Sequence, residues 1–173
     1  RQYDLFDLRK RIATVPQNLF LFTGTIADNI SLYNPDITRD QIEAAARAVG
    51  ASSFIEKLPE TYDQEILEEG KLLSVGQKQL LGCARAFIKK PSIIILDEAT
   101  SSIDAETEQL LDSAIQKLLS GRTAIIIAHR LTTIKSADRI LVLHKGCLVE
   151  QGTHSSLIKL NGIYKKLYNL QVF

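Results

Sequence analysis

The chain has 173 residues, and its 21 Lys and Arg nearly balance 20 Asp and Glu, so the formal net charge is +1. This balance disfavours a nucleic-acid-binding protein that works through a broad basic face, while 45% hydrophobic and 24% charged residues are typical of a globular domain rather than a disordered chain. The longest apolar run, Ala124–Ala128, is five residues, whereas a membrane-spanning helix needs about 20.

The first half of the chain predicts one strand followed by helices. Residues 11–15 predict the strand, which ends at Pro16 and Gln17. A capping box at residues 38–41 starts one helix, and residues 53–58 predict a short second one. Because residues 24–90 carry helical patterns and no good strand, we interpret them as a helical insertion into an α/β core.

The second half predicts alternating strands and helices. The capping box Ser74–Gln77 starts a helix that stops before Pro91. The elements that follow are a strand over 92–96, a helix from Asp104 to Gly121, a strand over 123–128, a hairpin of 139–143 with 147–151, and a final amphipathic helix over about 156–170, broken near Gly162. Both strands are continuously apolar and β-branched, which predicts burial on both faces of a mainly parallel sheet.

Polar residues follow all three predicted core strands. Gln17 follows the first, the pair Asp97-Glu98 the second, and His129 the third. In open α/β sheets, ligands bind at the carboxyl ends of the strands. A single Gln or His at such a place is more often an ordinary turn residue, but three ends with adjacent carboxylates indicate a functional site.

Asp97 and Glu98 suit phosphoryl chemistry. An Asp at a strand end can hold Mg²⁺, usually through its waters. The next side chain points elsewhere as the chain leaves the strand, so Glu98 can reach an attacking water as a general base. The alternative is that the pair only caps the following turn.

The helix start at Ser74 is a second candidate site. Backbone N–H groups at a helix N-terminus attract anions, and Gly76 lets the backbone approach a phosphate without a Cβ in the way. The alternative is an ordinary capped helix, which Ser74 and Gln77 alone would favour.

These residues together resemble the ATP-binding cassette (ABC) family of the exporter type. The similarity covers essentially the whole chain and rests on four ordered motifs. They are Val15-Pro-Gln17 with Leu21–Ile30, similar to the Q-loop and its sequel; Leu73-Ser-Val-Gly-Gln-Lys-Gln79, similar to the signature motif; Ile93–Asp104, similar to Walker B and the D-loop; and Ala128-His-Arg-Leu131, similar to the switch-histidine segment.

The resemblance implies roles at the strand ends. Asp97 would help to bind Mg²⁺, and Glu98 would polarise the hydrolytic water. His129 would contact the γ-phosphate of ATP and link it to Glu98. Gln17 would sense Mg²⁺ and water, and it would face the transmembrane partner.

Other residues would act between subunits. By the resemblance, Ser74, Gly76 and Gln77 would clamp the γ-phosphate of an ATP molecule held by the opposite subunit. Asp104 would lie at the dimer interface between the two sites. Residues 65–70 resemble the exporter segment that contacts the coupling helices of the membrane domain.

The implied fold is a P-loop NTPase-like (RecA-like) α/β core with a mainly parallel sheet and an inserted α-helical subdomain. Its expected parts are a core strand and Q-loop over 1–23, the helical subdomain over 24–90, and the rest of the core over 91–173. The implied cofactors are ATP and Mg²⁺. The implied partners are a transmembrane domain and a second nucleotide-binding domain, at the cytoplasmic face of the cell membrane, with no nucleic acid.

One family motif is absent. The phosphate loop G-x-x-x-x-G-K-[ST] occurs nowhere in the 173 residues; at the single Gly-Lys pair, Gly70-Lys71, the motif fails because Leu72 follows the Lys. We therefore expect a fragment that lacks the N-terminal strands and phosphate loop and is inactive as an ATPase by itself. The alternative function is a non-catalytic cassette that only offers its signature face to a partner subunit.

Overall fold

The computed structural model describes residues 4–67, 73–97, 104–128 and 131–171. Two compact units divide the chain, a larger unit of residues 1–126 and a C-terminal unit of residues 127–173. The helices are α1 Leu5–Lys10, α2 Ile26–Ser31, α3 Arg39–Ala48, α4 Ser52–Ile55, a 3₁₀ turn Thr61–Asp63, α5 Val75–Ile88, α6 Ala105–Leu119, α7 Leu131–Ser136, α8 His154–Leu160 and α9 Ile163–Gln171. The strands are β1 Ile12–Val15, β2 Gly24–Thr25, β3 Glu65–Ile66, β4 Ile93–Asp97, β5 Thr123–Ile127, β6 Ile140–His144 and β7 Cys147–Gly152.

A three-stranded sheet forms the core of the larger unit, in the order β1-β4-β5. Strands β1 and β4 run parallel, with Ile12 opposite Ile93 and Val15 opposite Leu96. Helix α6 connects β4 to β5, which is the crossover that neighbouring parallel strands require. The predicted α/β class with a parallel sheet is confirmed.

Strand β5 is buried less than its sequence predicts. Ile125 is 56% exposed and Ile127 is 52% exposed, so the prediction that this strand is buried on both faces is wrong. In β4, by contrast, Ile94 and Leu96 are fully buried. The physical reason is packing: Ile94 and Leu96 of β4 belong to the hydrophobic core cluster, whereas of β5 only the partly buried Ile126 packs against that cluster.

The stretch between β1 and β4 is mainly helical, as expected. Thr38 and Gln41 form a reciprocal capping box at the start of α3. The expectation of no strand needs a correction, because β2 and β3 pair antiparallel through Gly24 with Ile66 and Thr25 with Glu65. A two-residue pair has too little periodicity to be read from sequence.

Helix α5 has more buried residues than any other helix in the described part of the larger unit. Its buried residues occur on every side of the helix and are Gly76, Gln79, Leu80, Leu81, Gly82, Cys83, Ala84, Arg85 and Ala86. It packs against α2, α3, α6 and β1. The predicted apolar face is confirmed for Leu80, Leu81 and Ala84, whereas Phe87 and Ile88 near the C-terminus are only partly buried.

The C-terminal unit contains the predicted hairpin of β6 and β7, followed by two helices. The final helix begins earlier than expected, because Thr153 caps α8, and it divides at Asn161, which adopts the left-handed conformation with φ of 59°. A small core joins Val142, Leu157 and Tyr164. No helix in the described ranges has both the length and the apolarity to cross a bilayer.

A side chain of the hairpin caps the last helix. The two carboxylate oxygens of Glu150 accept hydrogen bonds from the backbone nitrogens of Ile163 and Tyr164, at 2.5 and 3.0 Å. Gly162 makes room for this contact, because a Cβ at that position would overlap the Glu150 carboxylate. The carboxylate also lies where the helix macrodipole favours negative charge.

We expect Glu150→Ala and Gly162→Ala each to lower the free energy of unfolding by about 1 kcal/mol, the usual value of an N-cap. The free energy of unfolding of the double variant should fall no further than that of either single variant, because both changes remove the same cap. Chemical denaturation measures all three, and Glu60→Ala, at an exposed glutamate with no capping bond, serves as the control. Additive losses would show that Gly162 and Glu150 act independently.

Candidate functional site: a strand-end edge and a helix start

The carboxyl ends of β1 and β4 bring two of the predicted site residues to one edge of the sheet. Val15 and Leu96 are paired neighbours on parallel strands. Asp97 is the last residue of β4, and Gln17 follows β1 by two residues. Both side chains therefore start from the same edge, and Gln17 is exposed there while Asp97 is half-buried.

Glu98 and His129 lie outside the described residues. The structure describes the strands that precede them: β4 ends at Asp97 and β5 ends at Ile127. Strands β4 and β5 are neighbours in the sheet. The catalytic roles of these two residues stay predictions.

The residues at this edge fit Mg²⁺ by their chemistry. Mg²⁺ prefers hard oxygen ligands, and it is usually bound by one or two protein groups while phosphate oxygens and waters complete its octahedron. Asp97 offers a carboxylate and Gln17 an amide oxygen on adjacent strands. Within the described residues no group of three or more His, Cys, Asp or Glu side chains lies together as a metal site.

The start of α5 is capped in the predicted manner. Ser74 Oγ accepts a hydrogen bond from the backbone nitrogen of Gln77 at 3.2 Å, and Gln77 Oε1 accepts one from the backbone nitrogen of Ser74 at 3.0 Å. Ser74 is exposed and Gly76 is buried. The capping box is thus real and uses the backbone N–H groups of Ser74 and Gln77. The helix dipole at this exposed start still favours an anion.

Asp104 caps α6. Its Oδ1 accepts a hydrogen bond from the backbone nitrogen of Thr107 at 2.9 Å, and this bond lowers the pKa of the Asp104 carboxyl below its usual value. Asp104 is exposed. Its place at a dimer interface stays a prediction.

The segment of residues 17–22, which follows β1, lies along α5. Gln79 Nε2 donates a long hydrogen bond of 3.5 Å to the backbone oxygen of Gln17. One turn further on, a Cβ added to Gly82 would be 3.3 Å from Leu19 Cδ1, so the two residues are in close contact. After another turn, Arg85 Nη1 donates to the backbone oxygen of Phe20 at 2.7 Å.

Arg85 and Asn29 form a buried polar network that sequence reasoning missed. Arg85 Nε donates to the backbone oxygen of Asn29, and Arg85 Nη2 to Asn29 Oδ1, both at 2.6 Å. Asn29 is completely buried, and Arg85 is 9% exposed. The available signal was a charged residue within the buried stretch Cys83–Ala86, where an apolar one is the usual choice.

Exposed aromatic rings lie next to this network. The Phe20 and Phe22 rings meet edge to face with centroids 5.1 Å apart, and Tyr33 lies 6.5 Å from Phe22. Their residues are 61%, 43% and 53% exposed. We call Phe20, Phe22 and Tyr33 the aromatic patch. Of the predicted membrane-domain segment 65–70, only residues 65–67 are described, and Leu67 is 65% exposed.

Known proteins are similar to this chain in sequence. The family model described as "ABC transporter" matches residues 2–101. An "ATP-dependent lipid A-core flippase" of Legionella pneumophila (strain Paris) is 47% identical over 173 residues, which are 100% of this chain and 29% of that protein. A protein of Bacillus subtilis (strain 168), described as "Uncharacterized ABC transporter ATP-binding protein YknV", is 47% identical over 171 residues, 99% of this chain and 28% of its own length.

A solved structure agrees with the fold. The "Structure of a bacterial Atm1-family ABC exporter with ATP bound" superposes with a TM-score of 0.86 at 41% sequence identity, over 97% of this chain and 29% of that one. The chain thus spans less than a third of the length of these relatives. On the matched family model and this shared fold, the chain belongs to the ABC transporter family.

Proposed function

We propose that this chain is the greater part of the ATP-binding and ATP-hydrolysing domain of an ABC exporter, which powers transport by ATP-driven dimerisation. The observation that carries the proposal is the presence, on one chain, of two structural features that we propose as the two half-sites for a nucleotide. One is the strand-end edge with Gln17 and Asp97, and the other is the exposed, capped start of α5 at Ser74.

At the strand-end edge, Asp97 and Gln17 would hold Mg²⁺, which neutralises charge on the phosphates when Mg-ATP is bound. Glu98 follows Asp97 directly, so it can accept the proton of a water that attacks the γ-phosphate. His129, after the neighbouring strand β5, would hydrogen-bond the γ-phosphate and hold Glu98 in place.

The start of α5 would act on the nucleotide of the opposite subunit. Ser74, Gly76 and Gln77 would clamp that γ-phosphate through the backbone N–H of Gly76 and the side chains of Ser74 and Gln77, because the backbone N–H groups of Ser74 and Gln77 donate within the capping box. Asp104 would contact the second subunit between the sites. A capped helix start with positive dipole suits an anion that arrives from outside the chain. Closure of two subunits around ATP would then bring the two half-sites together.

The aromatic patch supports a membrane-domain partner. Three exposed rings on one surface form an apolar area that water solvates poorly. The patch follows Gln17 in the chain, and Gln17 is the residue expected to face the transmembrane domain. The two matched relatives named as a flippase and an exporter are transport proteins. We therefore propose a location at the cytoplasmic face of the cell membrane, with the patch against the membrane domain.

The second candidate is a non-catalytic cassette that offers only its signature face to a partner subunit. The observation that favours it is the absence of a phosphate loop from the 173 residues. That loop would supply most contacts to the β- and γ-phosphates.

We expect Glu98→Gln in the full-length protein to keep ATP binding and to slow hydrolysis by at least ~10²-fold, because the amide cannot accept the proton. His129→Ala should slow turnover to a similar degree. Phosphate release and nucleotide binding measure these effects. Glu106→Gln and His144→Ala, at exposed positions without an assigned role, are the matched controls and should retain the wild-type rate.

A second expected result concerns action between subunits. Gly76→Asp adds a side chain and a negative charge where the opposite subunit's phosphate should dock. In a mixed dimer with one marked variant subunit, ATP binding at that subunit's own site should persist, while sandwich closure and hydrolysis at the opposite site should stop. If Ser74 and Gln77 only cap the helix, the change should be mild, because acidic residues suit a helix start; normal hydrolysis at both sites of a folded dimer would contradict the clamp.

The chain of 173 residues alone should bind Mg-ATP weakly and release phosphate at background rate. The reason is the absent phosphate loop rather than a defect at Asp97 or Ser74. Phosphate release by the purified chain measures this. Turnover typical of ordinary ATPases, abolished by Glu98→Ala, would contradict it, and a full-length protein equally devoid of turnover would favour the non-catalytic candidate.

A further inference from the structure

Arg85 is a buried cation that binds backbone rather than carboxylate. Its three guanidinium nitrogens donate to the backbone oxygens of Phe20 and Asn29 and to Asn29 Oδ1, at 2.6–2.7 Å. Among the described residues no carboxylate accepts a hydrogen bond from it. Burial lowers the pKa of Arg85 to about 10, so the group still carries its charge at neutral pH. Burying a charge without an opposite charge is unfavourable, and the fork of three directed bonds is what offsets it.

Asn29 extends the network to the loop on its other side. Its Oδ1 also accepts from the backbone nitrogen of Phe22 at 2.9 Å, and its Nδ2 donates to the backbone oxygens of Phe22 and Thr25, at 2.9 and 3.0 Å. Every donor and acceptor of the side-chain amide is therefore used. These bonds hold the backbone of Phe22 and Thr25 against Asn29.

The same loop is held to α5 at three successive levels. Gln79, Gly82 and Arg85 are three residues apart, so they form one stripe along the helix. They contact Gln17, Leu19 and Phe20 in the same order. Residues 17–22 thus run alongside α5 in its own direction, from the sheet edge to the aromatic patch.

We propose that Arg85 is a positioning residue for ATP hydrolysis: through Asn29 and Phe20 it holds residues 17–22 against α5, so that Gln17 at the sheet edge and the helix start at Ser74 move as one body. The proposal rests on the proposed ATPase function. It gives a role to Arg85 and Asn29, which lie outside both proposed half-sites, and it makes the aromatic patch the outer end of the same rigid body.

The test is a double-mutant cycle in the full-length protein, read by single-turnover ATP hydrolysis. Arg85→Lys keeps the charge but loses the fork, so residues 17–22 should shift and the hydrolysis rate should fall about tenfold, as expected for a misplaced group near the reacting atoms. Mg-ATP affinity should stay within about twofold of wild type. In a Gln17→Ala background, Arg85→Lys should have no further effect, because the residue through which it acts is already gone.

A second variant perturbs the same loop and leaves the Arg85 guanidinium unchanged. Gly82→Ala adds a methyl group 3.3 Å from Leu19 Cδ1, which should push the loop away from α5 while the helix keeps its propensity. Its effect on the hydrolysis rate should likewise disappear in a Gln17→Ala background. Arg39→Lys is the matched control, because Arg39 makes a comparable fork to Asp63 at the surface of α3, and its rate should equal wild type.

Hydrogen exchange measures directly how firmly residues 17–22 are held against α5. The Phe22 amide, bonded to Asn29, should exchange at least tenfold faster in Arg85→Lys, with amides of the α5 interior unchanged. Additive rate effects of Arg85→Lys and Gln17→Ala in an active protein would overturn the proposal. If Arg85→Lys does not fold, an unchanged rate in folded Gly82→Ala would overturn it. A wild-type protein without any ATPase activity would instead overturn the proposed function on which it rests.

Discussion

The burial of helix α5 is the constraint on which the larger unit depends. Nine of its residues are buried, on all sides of the helix, and α2, α3, α6 and β1 pack against it. The part that stays exposed is its start, with Ser74 exposed and Val75 51% exposed. A helix held in this way cannot tilt without moving its neighbours, because packed interiors deform little. The helix start that is proposed to meet a phosphate therefore belongs to a helix that is packed against four neighbouring elements.

The same packing relates the two half-sites to each other. Helix α5 touches β1 directly, and β1 pairs with β4, which ends in Asp97. Gln17 is tied to α5 through its backbone oxygen and Gln79. Residues that are far apart in sequence, at 17, 74 and 97, are thus joined through a few buried contacts rather than through flexible chain. These contacts connect the residues whose motifs resemble those of ABC exporters.

Much of the fold could be predicted because its signals are local. The capping boxes at 38–41 and 74–77, the cap at Asp104 and the apolar face of α6 all depend on residues within a few turns of each other. The strand ends were also predictable, since the β-branched runs stop at polar residues. The short helices α1, α2 and α7 were missed; for α2 a signal existed, because Thr25 and Asp28 form a capping box.

The rest depends on contacts that no local pattern reports. Arg85 and Asn29 are 56 positions apart, and each alone looks like an ordinary surface residue type. The exposure of Ile125 and Ile127 depends on what packs beside β5, which a run of isoleucines does not reveal. The division of the last helix follows from a left-handed Asn161 together with the Glu150 cap, again a contact across elements. Local chemistry therefore predicts the elements, whereas long-range packing decides their burial and alignment.

The most direct measurement is a structure of the full-length Glu98→Gln protein, which should trap bound nucleotide, determined with Mg-ATP. The account predicts nucleotide between two copies, with Mg²⁺ near Asp97 and Gln17 of one copy and the γ-phosphate at the Ser74–Gln77 helix start of the other. Nucleotide bound with no contact to either half-site, or with both half-sites of a single copy on the same nucleotide, would contradict it.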